Sequence, residues 1–197
     1  NLVEGVDGKG ALAPAAPRLL AELGMAFTGV GGAAMDVTND KVLTKQMLRR
    51  AGLATPDWSE APAWAGLGEG LYIVKAALED GSIGLDDGAV VAGRDVPARA
   101  DACALRFGGR WFAEAFIEGR EFNIALLGTA QNLRILPMAE MRFADWPAAT
   151  PRIVGYGAKW DEDSPGWRHT VRAFGNLIHL IRIVGCPPGF IRTGWWR

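Results

Sequence analysis

Leu71-Tyr72-Ile73-Val74-Lys75-Ala76, followed closely by Glu79-Asp80-Gly81-Ser82-Ile83-Gly84, decides how the rest of the sequence is read. The first six residues are mostly β-branched, aromatic or aliphatic and predict a strand. The second six are turn formers and predict a flexible loop whose backbone amides can close over phosphate oxygens. Lys75 stands inside the apolar run, where an ammonium is expensive to bury unless it meets an anion. Taken singly, an edge-strand lysine and an ordinary turn would produce the same residues.

Downstream of this stretch the pattern continues as strands. They are expected over 89–92, 110–117, 121–127 and 133–143, with a hairpin around Glu118-Gly119-Arg120. Residues 147–163 are too polar for a central strand, and 174–184 predict a final helix. Upstream, 12–23 predict a helix with leucines on one face, ended by Gly24. A short strand over 25–28 opens into Gly29-Val30-Gly31-Gly32. Thr38 or Asn39 caps a helix through Arg50 that carries Val42, Leu43, Met47 and Leu48 on one side. Gly52 stops it, and 58–70 read as a surface connection. Helix-strand elements first and antiparallel strands later argue for an α+β enzyme with two subdomains and a hinge near Phe116.

Composition narrows the function. In 197 residues, 21 Lys plus Arg balance 22 Asp plus Glu, for a net charge of -1. No positive field gathers nucleic acid or an anionic membrane. Two cysteines, Cys103 and Cys186, are too few for a disulfide scaffold, so a reducing cytoplasmic setting is expected. No signal peptide is visible, and the apolar run 177–184 is too short to span a bilayer. His169 and His179 are the only histidines, which removes three-histidine metal sites. No His-Glu-x-x-His or Gly-x-Ser-x-Gly pattern occurs. The phosphate-loop signature is missing at Gly8-Lys9-Gly10, and Gly29-Val30-Gly31-Gly32 lacks the full dinucleotide fingerprint.

Four polar features remain: Lys75; the 79–84 loop; Glu114 and Glu121 around an apolar stretch; and Lys159 beside Asp161-Glu162-Asp163. The glutamates read equally as solvated hairpin residues, and the last cluster as surface charge. In this order, however, they resemble the ATP-grasp superfamily, and within it the D-alanine–D-alanine ligases. Phe27-Thr28-Gly29, Asn39-Asp40-Lys41 with Thr44-Lys45, and Ala51-Gly52-Leu53-Ala54-Thr55-Pro56 carry the resemblance first. Ile73-Val74-Lys75, Glu79 to Gly84, Ala113 to Asn123, and Tyr156 to Pro165 complete it, over a match that runs to about Gly175.

The resemblance implies an ATP-grasp-like α+β fold. A partial α/β N-terminal domain would occupy 1–37, a small subdomain 38–115 and a large subdomain 116–197. It implies an ATP-dependent carboxylate-amine ligase acting through an acylphosphate in peptidoglycan precursor synthesis, with ATP and Mg2+ as cofactors. The substrates would be small molecules, D-alanine among them; no nucleic acid or membrane takes part, and a homodimer is allowed. Lys41 and Lys75 would contact nucleotide phosphates, and Gly81, Ser82 and Gly84 would belong to the loop covering them. Glu114 with the backbone of Phe116 and Ile117 would line the adenine pocket, and Glu121 would hold the ribose hydroxyls. Lys159 would reach the γ-phosphate, and Lys159 and Ser82 are the catalytic candidates. Lysines and backbone amides suffice for phosphoryl transfer, which is largely positioning and charge neutralisation.

Three departures matter. The family's metal-binding Asp and Glu-x-Asn pair is not found after Gly175. Glu121-Phe122-Asn123 matches the tripeptide, but its context assigns Glu121 to ribose, so no metal ligand is named. The family's opening strand and helix are also missing, and the reading is of a chain truncated at both ends, with an atypical tail over 176–197. Finally, Gly81 stands where many ligases have serine and Trp160 where many have tyrosine, which opens the choice of amino-acid substrate. The alternatives are a related ligase with another substrate and a non-catalytic remnant.

Overall fold

A computed structural model describes residues 1–129 and 131–174. The central element is a four-stranded antiparallel sheet built from β1 (Trp58–Glu60), β2 (Leu71–Ala76), β3 (Val90–Ala92) and β4 (Trp111–Ala115), in the spatial order β1-β4-β2-β3. In β2 and β4, Tyr72 faces Ala115, Ile73 faces Glu114, Val74 faces Ala113, Lys75 faces Phe112 and Ala76 faces Trp111. Successive side chains alternate between the two sides of a sheet. Val74, Ala76, Trp111 and Ala113 therefore share one side, where they form a core with Val96, Ala100 and Cys103 of α4 (Val96–Phe107). Lys75, Phe112 and Glu114 share the other. Lysine interrupts the apolar run at Lys75 because on that side of the sheet its ammonium meets the Glu114 carboxylate.

Helix α3 (Lys41–Arg50) lies over that second side, with Val42 packed against Ala77 and Phe112. Before it come α1 (Ala15–Glu22) and α2 (Gly32–Asn39). After β4 the chain enters a second group of strands. β5 (Glu121–Asn123), β8 (Ala139–Phe143) and β9 (Thr170–Phe174) form a sheet in the order β5-β8-β9, and β6 (Leu126–Thr129) pairs with β7 (Asn132–Ile135) as a separate ribbon. Two short helices, α5 (Tyr156–Trp160) and α6 (Pro165–His169), precede β9. The architecture is α+β with antiparallel sheets. Among the described residues no helix is long and apolar enough to cross a membrane.

Several local expectations are corrected. Residues 25–28 form no strand. Thr38 and Asn39 end α2 instead of capping the next helix: the Thr38 hydroxyl bonds back to the Ala34 carbonyl, and the Asn39 amide donates to the Gly10 carbonyl at 2.9 Å. The cap of α3 is Asp40, whose Oδ1 accepts from the N–H groups of Val42 and Leu43 while Oδ2 pairs with Arg110 at 2.6 Å. The segment 58–70 contains β1. No hairpin forms at 118–120, because β4 and β5 belong to different sheets. The expected strand over 121–127 is split between β5 and β6, and that over 133–143 between β7 and β8. The polar stretch 147–163 holds no strand, in line with its composition, and carries α5. Phe174 ends β9 in place of starting a helix; the remainder of that helix, His179, Cys186 and the atypical tail lie outside the described residues.

Glu140 of β8 is buried and held by two guanidinium groups, Arg120 Nε at 2.6 Å and Arg142 Nε at 3.2 Å. The Arg120 hydrogen bond dominates, burial opposes it, and Arg142 adds to it, leaving the carboxyl at about 2 against an ordinary 4.5. A carboxyl lowered in the folded state contributes stability that is present above its unfolded pKa and is lost as pH falls through the folded one. The advantage of wild type over Glu140→Gln in chemical denaturation should therefore shrink between pH 4.5 and about 2; a constant difference across that window would contradict it. In the main core, Trp111 is 4% exposed and its indole N–H donates to the Gly108 carbonyl at 2.7 Å. Trp111→Ala should cost about 3–5 kcal/mol in urea unfolding. Leu105→Ala, on the exposed side of α4, should stay within about 0.5 kcal/mol.

Candidate functional site

Glu114 lies at the centre of the polar side of the β2–β4 sheet. Its Oε1 accepts from Lys75 Nζ at 2.5 Å and its Oε2 from Lys45 Nζ at 2.6 Å. Lys45 also donates to the Thr55 hydroxyl at 2.8 Å and stands 5.5 Å from the centre of the Trp58 ring. Burial is the largest single influence on Glu114 and disfavours its charge. The two ammonium groups and their hydrogen bonds together outweigh it and hold the carboxyl below its ordinary range. An open cleft of about 230 Å³ borders this triad, lined by Lys41, Thr44, Pro56 and Phe112 in addition.

The sequence assigns Lys45 no role of its own. A lysine in a helix ordinarily reads as solvated, yet Lys45 follows Val42 by one helical turn and shares its buried face. That spacing is the signal that could have found it.

Lys41 anchors the foot of the glycine loop. Its ammonium donates to the Glu79 carbonyl at 2.7 Å and to Asp80 Oδ1 at 3.2 Å, which leaves one of three donors uncommitted to these groups. The N-terminal segment meets the same place, where the Gly10 N–H donates to Glu79 Oε2 at 2.9 Å. Gly81 and Ser82 both have left-handed backbones, with φ of 70° and 63°. This conformation suits glycine, and a serine held there stores strain. Gly84 ends the loop at φ 71° against the Trp111 ring, which a side chain at this position would strike, and its carbonyl accepts from Arg99 Nη2 at 2.8 Å. The loop is thus fixed at its end to the core.

The segment carrying Lys159 is fastened to this loop by three hydrogen bonds. The Ser82 hydroxyl donates to the Val154 carbonyl at 3.0 Å, the Tyr156 N–H to the Leu85 carbonyl at 2.8 Å, and the Trp160 indole N–H to the Gly81 carbonyl at 2.8 Å. Each contributes about 0.5–1.5 kcal/mol net. Glu121, the first residue of β5, is raised above the ordinary carboxylate range chiefly by burial. The Val154 backbone, Lys159 and Lys75 each pull it the other way. Glu121 is therefore within electrostatic reach of both Lys75 and Lys159. Phe116 is half-buried and its N–H donates to the Leu71 carbonyl at 2.9 Å, while Ile117 is exposed.

Lys41, Lys75 and Glu114 line one cleft, which Glu121 and Lys159 do not line, although Glu121 feels the charge of both Lys75 and Lys159; Phe116 and Ile117 lead from β4 toward β5. A second cavity of about 370 Å³ is bounded by Glu4, Glu79, Asp80, Ile83, Tyr156 and Trp160. Among the described residues no group of three or more His, Cys, Asp or Glu side chains is placed to hold a metal ion.

No family model matches the chain. It is 30% identical over 196 residues to a D-alanine–D-alanine ligase of Janthinobacterium sp. (strain Marseille), covering 90% of this chain and 57% of that protein. It is 35% identical over 123 residues to the D-alanine–D-alanine ligase of Albidiferax ferrireducens, covering 59% and 34%. The chain spans between a third and just over half of the length of these relatives. Among solved structures, a D-alanine–D-alanine ligase from Bacillus anthracis superposes with a TM-score of 0.58 at 21% identity, over 85% of this chain and 52% of that one. That likeness shows the fold, and the sequence relatives carry the same name. The chain is D-alanine–D-alanine ligase-like, with an ATP-grasp fold.

Proposed function

We propose that the chain contributes the nucleotide site of an ATP-dependent carboxylate-amine ligase of the D-alanine–D-alanine type, serving peptidoglycan precursor synthesis. The observation that carries this reading is the cleft of about 230 Å³ where Lys41 and Lys75 meet beside Glu114, with the half-buried Glu121 under the charge of Lys75 and Lys159. Such an arrangement suits a polyanion whose sugar end needs a hydrogen-bond acceptor and whose phosphate end needs cations.

Bound ATP would supply its γ-phosphoryl group to a carboxylate, leaving ADP, and a deprotonated amine would attack the acylphosphate carbon, expelling phosphate, to form the amide. The protein's part is positioning and charge neutralisation. Lys75 and Lys41 hold phosphate oxygens, and the amides of Gly81, Ser82 and Gly84 cover them. Lys159 reaches the γ-phosphate from α5. Glu114 faces the base, with the Phe116 carbonyl and the Ile117 N–H beyond it, since the Phe116 N–H is already committed to Leu71. Glu121 accepts from the ribose hydroxyls. The second cavity, bounded by Glu4 and Glu79, takes the amino-acid substrates, whose ammonium groups suit its carboxylates. Trp160, closing it through Gly81, bears on which amino acid fits. Magnesium, which the family implies, finds no ligand set among the described residues, and no step is assigned to it.

Calorimetric titration with ATP tests the reading. Wild type should bind ATP more tightly than adenosine. Lys75→Ala should lower ATP affinity by about 10–100-fold, the value of a charged hydrogen bond to phosphate, with Glu114 still neutralised by Lys45. Equal affinity of wild type and Lys75→Ala for ATP would overturn the assignment. ADP release with ATP, magnesium and D-alanine addresses the reaction itself: any turnover should be abolished by Lys159→Ala, and turnover that survives it would remove Lys159 from the γ-phosphate.

A further inference from the structure

Glu114 is shared unequally by its two lysines. Lys45 is fixed: its side chain is 6% exposed, and its ammonium is held by Glu114, by the Thr55 hydroxyl and over the Trp58 ring. Lys75 is the looser partner, with a side chain 28% exposed and its ammonium on Glu114 Oε1. The Glu114 side chain itself is 14% exposed. A phosphate approaching Lys75 must compete with this carboxylate for the same ammonium. If Glu114 had Lys75 alone, surrendering it would leave a largely buried carboxylate without a counter-charge, which is strongly unfavourable.

We propose that Lys45 is a positioning residue that releases Lys75 for phosphate: by keeping Glu114 neutralised, it lets Lys75 exchange a carboxylate for a nucleotide phosphate. Lys45 touches no substrate on this account and acts only through Glu114 and Lys75. The inference rests on the nucleotide reading above. It separates two properties that a purely structural lysine would not, the affinity for the phosphate chain and the affinity for the nucleoside.

The test compares ATP and adenosine binding by calorimetry on the full chain, with circular dichroism to confirm folding. In Lys45→Met, ATP affinity should fall by about 30-fold or more while adenosine affinity changes by less than about threefold, since only the phosphates demand that Lys75 leave. In Glu114→Gln the competitor for Lys75 loses its charge, and the preference for ATP over adenosine should rise above wild type. Lys45→Arg should retain most of the wild-type preference. The two opposite shifts would establish the release role. An equal loss of both ligands in Lys45→Met, or a preference that is unchanged or lower in Glu114→Gln, would overturn it. If Lys45→Met does not fold, Lys45→Met/Glu114→Gln replaces it: with no carboxylate left to neutralise, it should keep the ATP preference of Glu114→Gln, and a lower preference would overturn the release role. Wild type that binds adenosine and ATP equally, or neither, would overturn the nucleotide reading and this inference with it.

Discussion

The clamp on Glu114 is the interaction around which the rest of the chain is arranged. A carboxylate with a 14% exposed side chain is tolerable only because two ammonium groups meet its two oxygens. One of those comes from β2 and the other from α3, so the ion triad joins the sheet to the helix that covers it. The register of β2 and β4 sets Lys75 opposite Phe112 and so two positions from Glu114 on the same side. Slipping that register by one residue would turn either Lys75 or Glu114 toward α4, into a core of Val74, Ala76, Val96, Ala100 and Trp111. Apolar packing on one side of the sheet thereby enforces the ionic geometry on the other.

From that sheet the polar machinery extends through two loops. One leaves β2, is anchored at its foot by Lys41 and ends against Trp111; the other carries Lys159 and is fastened to the first by Ser82, Tyr156 and Trp160. The departures at Gly81 and Trp160 belong together in this arrangement. The left-handed backbone at Gly81 presents its carbonyl to the indole N–H, so the contact between loops runs from a side chain to backbone. Two residues that looked unrelated in the sequence are a single contact in space.

How much of this was legible follows from where the information resides. β2 and its loop could be read because a short apolar run and a cluster of turn formers are local signals. Helix α4 was passed over although Val96, Ala100 and Cys103 are spaced along one helical face and Gly108 caps it; its alanine-rich composition muted the apolar pattern. The cap at Asp40 was displaced by one or two residues because Thr38, Asn39 and Asp40 are all capping types, and only the extra turn of α2 decides among them. The false hairpin at 118–120 shows the opposite limit. Two adjacent strands with a glycine between them usually pair, and nothing local reveals that the chain leaves one sheet for another. Lys45 was hidden because burying a lysine requires a partner 69 residues away in the chain.

The central claim is that one nucleotide occupies the region bounded by Glu114, Glu121, Lys75 and Lys159. Photolabelling the full chain with 8-azido-ATP, followed by peptide mapping, tests it most directly. The label should fall on the peptide containing Glu114 to Glu121, and unlabelled ATP should suppress it in a saturable manner. Labelling confined to other peptides, or labelling that excess ATP does not reduce, would contradict the account.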